Sequence, residues 1–92
     1  MVVVTYDEFG GQWDHVSPPG QGNDNGPHDE WGPGTRIPAL IISTFLKGDF
    51  VVDHTQYDTT SILATIERRW HLDPLGTRDA AVNDFSNAYA VK

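Results

Sequence analysis

The chain contains no cysteine, which excludes a disulfide frame and any thiolate-ligated metal site and leaves the compartment open. It is also poor in positive charge, with 6 Lys and Arg against 13 Asp and Glu and a formal net charge of −7. Nucleic acid and anionic membranes are therefore not expected partners, because both are held by basic patches that displace counterions. No apolar run approaches the ~20 residues of a membrane-spanning helix, and nothing after Met1 has the charged and then apolar layout of an export signal. Hydrophobic residues make up 38% of the chain and are gathered in three short segments between 9 glycines and 6 prolines. A chain of this size buries only about 60% of its unfolded surface even when well filled. The expectation is a piece of a larger α/β enzyme.

What is present begins with Val2-Val3-Val4-Thr5-Tyr6, a continuous apolar run that ends in Asp7-Glu8 and then Gly10-Gly11. Apolarity without alternation suits a strand covered on both faces, as in a parallel sheet flanked by helices. In open α/β sheets ligands bind beyond the carboxyl ends of the strands, where Asp7 and Glu8 fall. Asp14-His15 follows one glycine-hinged turn later, so four oxygen or nitrogen donors can converge on a divalent cation. An Asp beside a His also has a purely structural use, as a hydrogen bond that shapes a loop.

Residues 17–35 are dense in Pro, Gly, Asn and Asp and are expected to form a long irregular loop, in which His28 is a minor candidate. The run RIPALIIS over 36–43 reads as a second buried strand, with Pro38 near its start, where a ladder donor can be spared. Its arginine, Arg36, is either a phosphate grip or a surface charge. The two strands, near 2–6 and 37–43, are expected to lie parallel, joined by a crossover-length connection. Phe50-Val51-Val52 reads as a short strand or extended piece. Asp58 is placed as the N-cap of a helix near 59–71, with Ile62, Leu63, Ile66 and Trp70 on its apolar face and Glu67, Arg68 and Arg69 outside. Leu72-Asp73-Pro74 is expected to end that helix, and a further short helix is expected near 84–89. Trp70 is assigned to the core, whereas the Trp13 and Trp31 rings can line a pocket.

Taken in order, VVVTYDEFGGQWDHVSPP, GPGTRIPALIIST, VDHTQYDTTSILATIERRW and the later Arg78-Asp79 resemble the C-terminal part of the bacterial phosphoesterase family. That family holds phospholipases C and related acid phosphatases of the alkaline-phosphatase-like superfamily. The resemblance implies an α/β fold in which residues 1–92 are the C-terminal segment of a catalytic α/β/α sandwich, with two parallel strands, one main helix and a long loop. It implies that Asp7 and Glu8 bind a catalytic divalent metal ion together with an acid and an asparagine from an N-terminal motif. Asp14, His15 and His54 are the candidate catalytic side chains, since an imidazole beside a carboxylate can orient a metal or donate a proton near neutral pH. One departure from the family pattern is Thr44, which follows Ser43 where the family has proline and bears on turn geometry only.

The implied partners are a phosphate-ester or phospholipid substrate and the remainder of the phosphoesterase domain. The implied location is periplasmic or secreted. The family's Glu-Asn motif and its Ser or Thr nucleophile have no counterpart in these residues, so the chain alone is expected to be inactive. Two other classes stand beside this reading: a free-standing acidic module that chelates a cation through Asp7, Glu8 and Asp14, and an inactive truncated remnant.

Overall fold

The computed structural model describes residues 1–7, 13–19, 33–48 and 50–89. Strands β1 (Val2–Thr5) and β2 (Ala39–Ile42) form a two-stranded sheet. They pair antiparallel, with Val2 opposite Ile42, Val3 opposite Ile41, Val4 opposite Leu40 and Thr5 opposite Ala39. This corrects the parallel arrangement expected from the two apolar runs. A parallel partner needs a crossover that carries the chain back along a sheet face, normally on a helix. Among the described residues no helix lies between the two strands, and an antiparallel return needs none. The strand positions themselves follow from the β-branched residues. Pro38, with no N–H to offer, stands just before the ladder, and its carbonyl accepts from Thr5 Oγ1 at 2.8 Å.

Opposed residues of an antiparallel pair share a face. Val2, Val4, Leu40 and Ile42 therefore form one apolar face, and each is more than half exposed. Among the described residues neither strand packs against a helix. The link to the rest of the chain runs through Leu46, bridged to Tyr89, through Lys47 N–H on the Ala88 carbonyl at 3.1 Å, and through Tyr89 OH on Met1 Sδ at 2.7 Å. The expected extended piece around Phe50 is not a strand. Phe50 takes a left-handed backbone (φ 56°) and is fully exposed.

Helix α1 (Thr60–Trp70) has Thr59 as its N-cap, with no side-chain cap bond, so Asp58, expected in that place, stands one residue outside it. Asp58 Oδ1 accepts from the Thr60 N–H at 2.9 Å and the Thr60 hydroxyl at 2.8 Å, while Ser61 Oγ accepts from the Asp58 N–H at 2.9 Å. Groups that the first turn would orphan are thus satisfied reciprocally. The helix ends before Leu72-Asp73-Pro74, at a left-handed His71 (φ 56°), where the Leu72 N–H closes back on the Glu67 carbonyl at 2.8 Å.

The buried side of α1 is Ser61, Ala64 and Glu67, not the expected stripe of Ile62, Leu63, Ile66 and Trp70. Trp70 is 65% exposed, with Arg69 stacked 5.2 Å from its ring centre, and Ile66 is also exposed. The reason is the tail, which forms α2 (Thr77–Ala81), unforeseen from sequence, and a 3₁₀ turn (Phe85–Ala88) close to the expected short helix. Small residues at 61 and 64 let this tail approach, and Val82 and Phe85 fill the space. Thr65 Oγ1 donates to the Ser61 carbonyl at 2.7 Å and accepts from the Phe85 N–H at 3.0 Å. Arg68 Nη2 donates to the carbonyls of Ala80 (3.2 Å) and Val82 (2.9 Å), and its Nη1 lies 3.2 Å from Asp84 Oδ2.

Glu67, expected outside, is buried against Asp79. Asp79 accepts from the N–H groups of Leu75 (2.7 Å) and Gly76 (2.8 Å). Burial and then the neighbouring Asp79 push the Glu67 carboxyl up. Burial opposes ionisation of Asp79 as well, but the backbone donors and the Glu67 hydrogen bond outweigh it and hold Asp79 down. The proton of the pair therefore sits on Glu67.

Two outcomes follow. Glu67's raised value contributes stability below its ordinary 4.5 that is lost as pH climbs through the folded-state value, whereas Asp79's lowered value contributes stability above its ordinary 3.8 that is lost on acidification. Thermal unfolding followed by far-ultraviolet circular dichroism should show the midpoint falling as pH rises above the ordinary 4.5 of Glu67 and through its raised folded-state value. Glu67→Gln, which keeps a donor toward Asp79 and cannot ionise, should flatten that fall. His71→Gly should stabilise the chain by about 1 kcal/mol in the same assay, because glycine occupies the left-handed terminus without steric cost.

Candidate functional site

β1 ends at Thr5, and two residues later the Asp7 carboxylate stands exposed at its carboxyl end. Glu8, the second acid of the expected metal pair, lies outside the described residues, as do His28 and Trp31. Among the described residues no three His, Asp or Glu side chains are grouped so as to hold a metal ion. Asp7 by itself offers a hard oxygen donor of the kind that suits a divalent cation such as calcium or magnesium.

The best-organised part of the site is built on Asp14. Its Oδ2 accepts from Arg36 Nε at 2.8 Å and its Oδ1 from Arg36 Nη2 at 3.0 Å, a two-pronged pair. Oδ1 also accepts from the Val16 N–H at 3.0 Å. The Arg36 hydrogen bond first, and the Val16 N–H second, bring the Asp14 carboxyl down to about 2. The same bond raises Arg36 above its ordinary value. His15 Nδ1 lies 3.4 Å from Asp14 Oδ1, with the ring 73% exposed and the Asp14 side chain only 12% exposed. The chain thus brings Asp14 and His15 together, as their adjacency suggests, and adds Arg36 to them.

His54 is exposed, and the structured residue of its motif is the neighbouring Asp53. Asp53 Oδ1 accepts from the Thr55 N–H at 2.9 Å and Oδ2 from the Tyr57 hydroxyl at 2.6 Å. The Tyr57 bond is the main cause holding Asp53 low; burial, helped by Asp53, pushes the Tyr57 phenol up to about 12. Tyr57 in turn meets Phe85 edge-on at 5.0 Å, so the segment carrying His54 is fastened to the helical core. Asn83 and Asn87 add side-chain donors to Gln56 and Thr55, each at 2.9 Å.

Sequence reasoning did not find the partners of Asp14 and Asp53. For Asp53 a local signal existed, since an Asp two residues before a backbone N–H commonly closes a turn of this kind. For Asp14 and Arg36, 22 positions apart, there was none. Trp13 is 85% exposed, so its ring packs against little of the described chain.

The profile of the phosphoesterase family matches residues 1–73. Phospholipase C A of Mycobacterium tuberculosis is 32% identical over 111 residues, covering 96% of this chain and 21% of that protein. Non-specific phospholipase C1 of Arabidopsis thaliana is 30% identical over 110 residues, covering 99% of this chain and 20% of that protein. Non-hemolytic phospholipase C of Burkholderia pseudomallei is 34% identical over 89 residues, covering 76% of this chain and 13% of that protein. The chain therefore spans about a fifth or less of the length of these relatives. No solved structure matches it. The match runs through both strands, the Asp14–Arg36 pair and the whole of α1, and on that extent the chain belongs to the phosphoesterase family.

Proposed function

We propose that this chain is the C-terminal segment of the catalytic domain of a metal-dependent phosphoesterase that hydrolyses phosphate esters, with phospholipid phosphodiesters as the favoured substrate class. The observation that carries the reading is an exposed carboxylate, Asp7, at the carboxyl end of β1 in a chain of this family. The relatives' names, phospholipase C in bacteria and in a plant, support the substrate class.

In this reading Asp7 and Glu8 supply two hard donors, and the other ligands come from elsewhere in the domain. A divalent metal held there by Asp7 and Glu8 would supply Lewis-acid polarisation of the phosphoryl oxygens. His15, with its ring open to solvent beside the ionised Asp14, and His54 are the groups that move protons to or from the reacting oxygens. Asp14 stays charged throughout, so it serves as an electrostatic partner of His15 and not as an acid.

Two measurements test this. In a complete phosphoesterase domain carrying this segment, Asp7→Ala with Glu8→Ala should lower kcat/KM for a phosphocholine ester by at least ~100-fold, given that even outer-sphere changes at metal sites cost 10- to 100-fold. Bound metal, measured by mass spectrometry of the purified protein, should fall with it, while His71→Ala should leave both unchanged. Unaltered metal content and turnover in the double variant would refute the assignment. The 92-residue chain on its own should show no turnover of a chromogenic phosphomonoester or a phosphocholine diester at any divalent metal concentration. Its residues offer no family nucleophile and only part of a ligand shell. Metal-dependent hydrolysis by the chain, abolished by Asp7→Asn, is the contrary result.

A further inference from the structure

We propose that Arg36 is a positioning residue of this site: its guanidinium fixes Asp14, and Asp14 fixes the tautomer and direction of the His15 ring. The inference rests on the reading above only in giving the His15 ring a reaction to serve. The geometry commits the Nε and Nη2 edge of Arg36 to Asp14, at 2.8 and 3.0 Å, so the guanidinium is oriented by a carboxylate of its own chain. A bidentate guanidinium–carboxylate pair is also directional, holding the carboxylate plane as well as its place. The Val16 N–H closes on Oδ1 from the other side of His15 in sequence, so the Asp14 carboxylate is held from two directions.

Asp14 Oδ1 then faces His15 Nδ1 at 3.4 Å. A carboxylate that cannot give up its charge favours the imidazole tautomer with hydrogen on Nδ1, and so leaves Nε2 as the atom presented to solvent. The titration of Asp14, brought down to about 2, agrees with this arrangement. Arg36 stands three residues before β2, whereas Asp14 follows β1 and the Asp7-Glu8 pair in sequence. The pair therefore ties the ends of two strands that carry chemistry to one another across the Pro- and Gly-rich stretch 17–35. An arginine open in sequence to two readings, a phosphate grip or a surface charge, becomes the fixed point of the site.

The test uses the 92-residue chain labelled with ¹³C and ¹⁵N, as parent, Arg36→Gln, Arg36→Lys and Asp14→Asn. In the parent the Asp14 carboxyl carbon should titrate near 2, and in Arg36→Gln near its ordinary 3.8, with Arg36→Lys between, since an ammonium cannot fork. The ring-nitrogen spectrum of His15 should show hydrogen on Nδ1 in the parent and move toward Nε2 in both Arg36→Gln and Asp14→Asn, while His54 stays constant in all four. An ordinary Asp14 titration in the parent, or a His15 spectrum indifferent to Arg36→Gln, overturns the proposal. Should Arg36→Gln unfold, Arg36→Lys and Asp14→Asn still give the comparison, and an unmoved His15 in both has the same force. Inside a complete domain, Arg36→Gln should lower kcat by ~10-fold with KM held, and Arg36→Lys should recover part of it. Absence of turnover in the parent domain with the Asp14 and His15 signals intact would overturn the phosphoesterase reading and support the clamp.

Discussion

A single proton shared by Glu67 and Asp79 is the constraint on which the helical half of the chain depends. Two carboxyls packed together out of water disfavour a second charge, so ionising Glu67 beside Asp79 weakens the contact between α1 and α2. With the proton on Glu67, Asp79 is free to accept two backbone N–H groups and so to start α2. α2 and the turn after it then present the Ala80 and Val82 carbonyls to Arg68, and Asp84 to the same guanidinium. The placement of Phe85 against Thr65 and Tyr57 follows from that order. Among the described residues the fully buried hydrophobic part of this core is Ala64, Val82 and Phe85, so polar contacts carry much of its specificity. The residue that decides the packing is an acid.

Local chemistry was legible in the sequence wherever it acts over a few residues. The extent of α1, the place of both strands and the turn near Phe85 all come from groups within one turn of each other, whereas the cap expected at Asp58 falls one residue later, on Thr59. Direction and face were not legible. A run such as ALII says that backbone will be extended, but it carries nothing about which way its partner runs, and the antiparallel register is settled by tertiary contacts. The face of α1 was misjudged because Trp70 and Ile66 are the most apolar residues, whereas Ser61, Ala64 and Glu67 are the ones that fit the tail. A buried glutamate is the exception that pattern reading is built to miss, because its partner, Asp79, lies in a different element.

The site divides in the same way. Adjacent pairs, Asp14 with His15 and Asp53 with His54, could be picked out by eye, and the structure keeps the first as a contact. Their supports could not, because Arg36 and Tyr57 reach them through the fold. In both cases the carboxylate is the anchored group and the histidine the exposed one, so the two motifs share a design in which acids are spent on geometry and imidazoles are left to face solvent.

The bare face of the sheet has a colloidal consequence. Val2, Val4, Leu40 and Ile42 form a patch that any second copy of the chain could cover with its own, and among the described residues no further strand pairs with either outer edge of the sheet. What separates such copies in dilute buffer is their common charge of −7. Salt screens that repulsion within a Debye length and leaves the apolar attraction in place. Ionic strength, and not only temperature, therefore sets the concentration at which this chain stays dispersed.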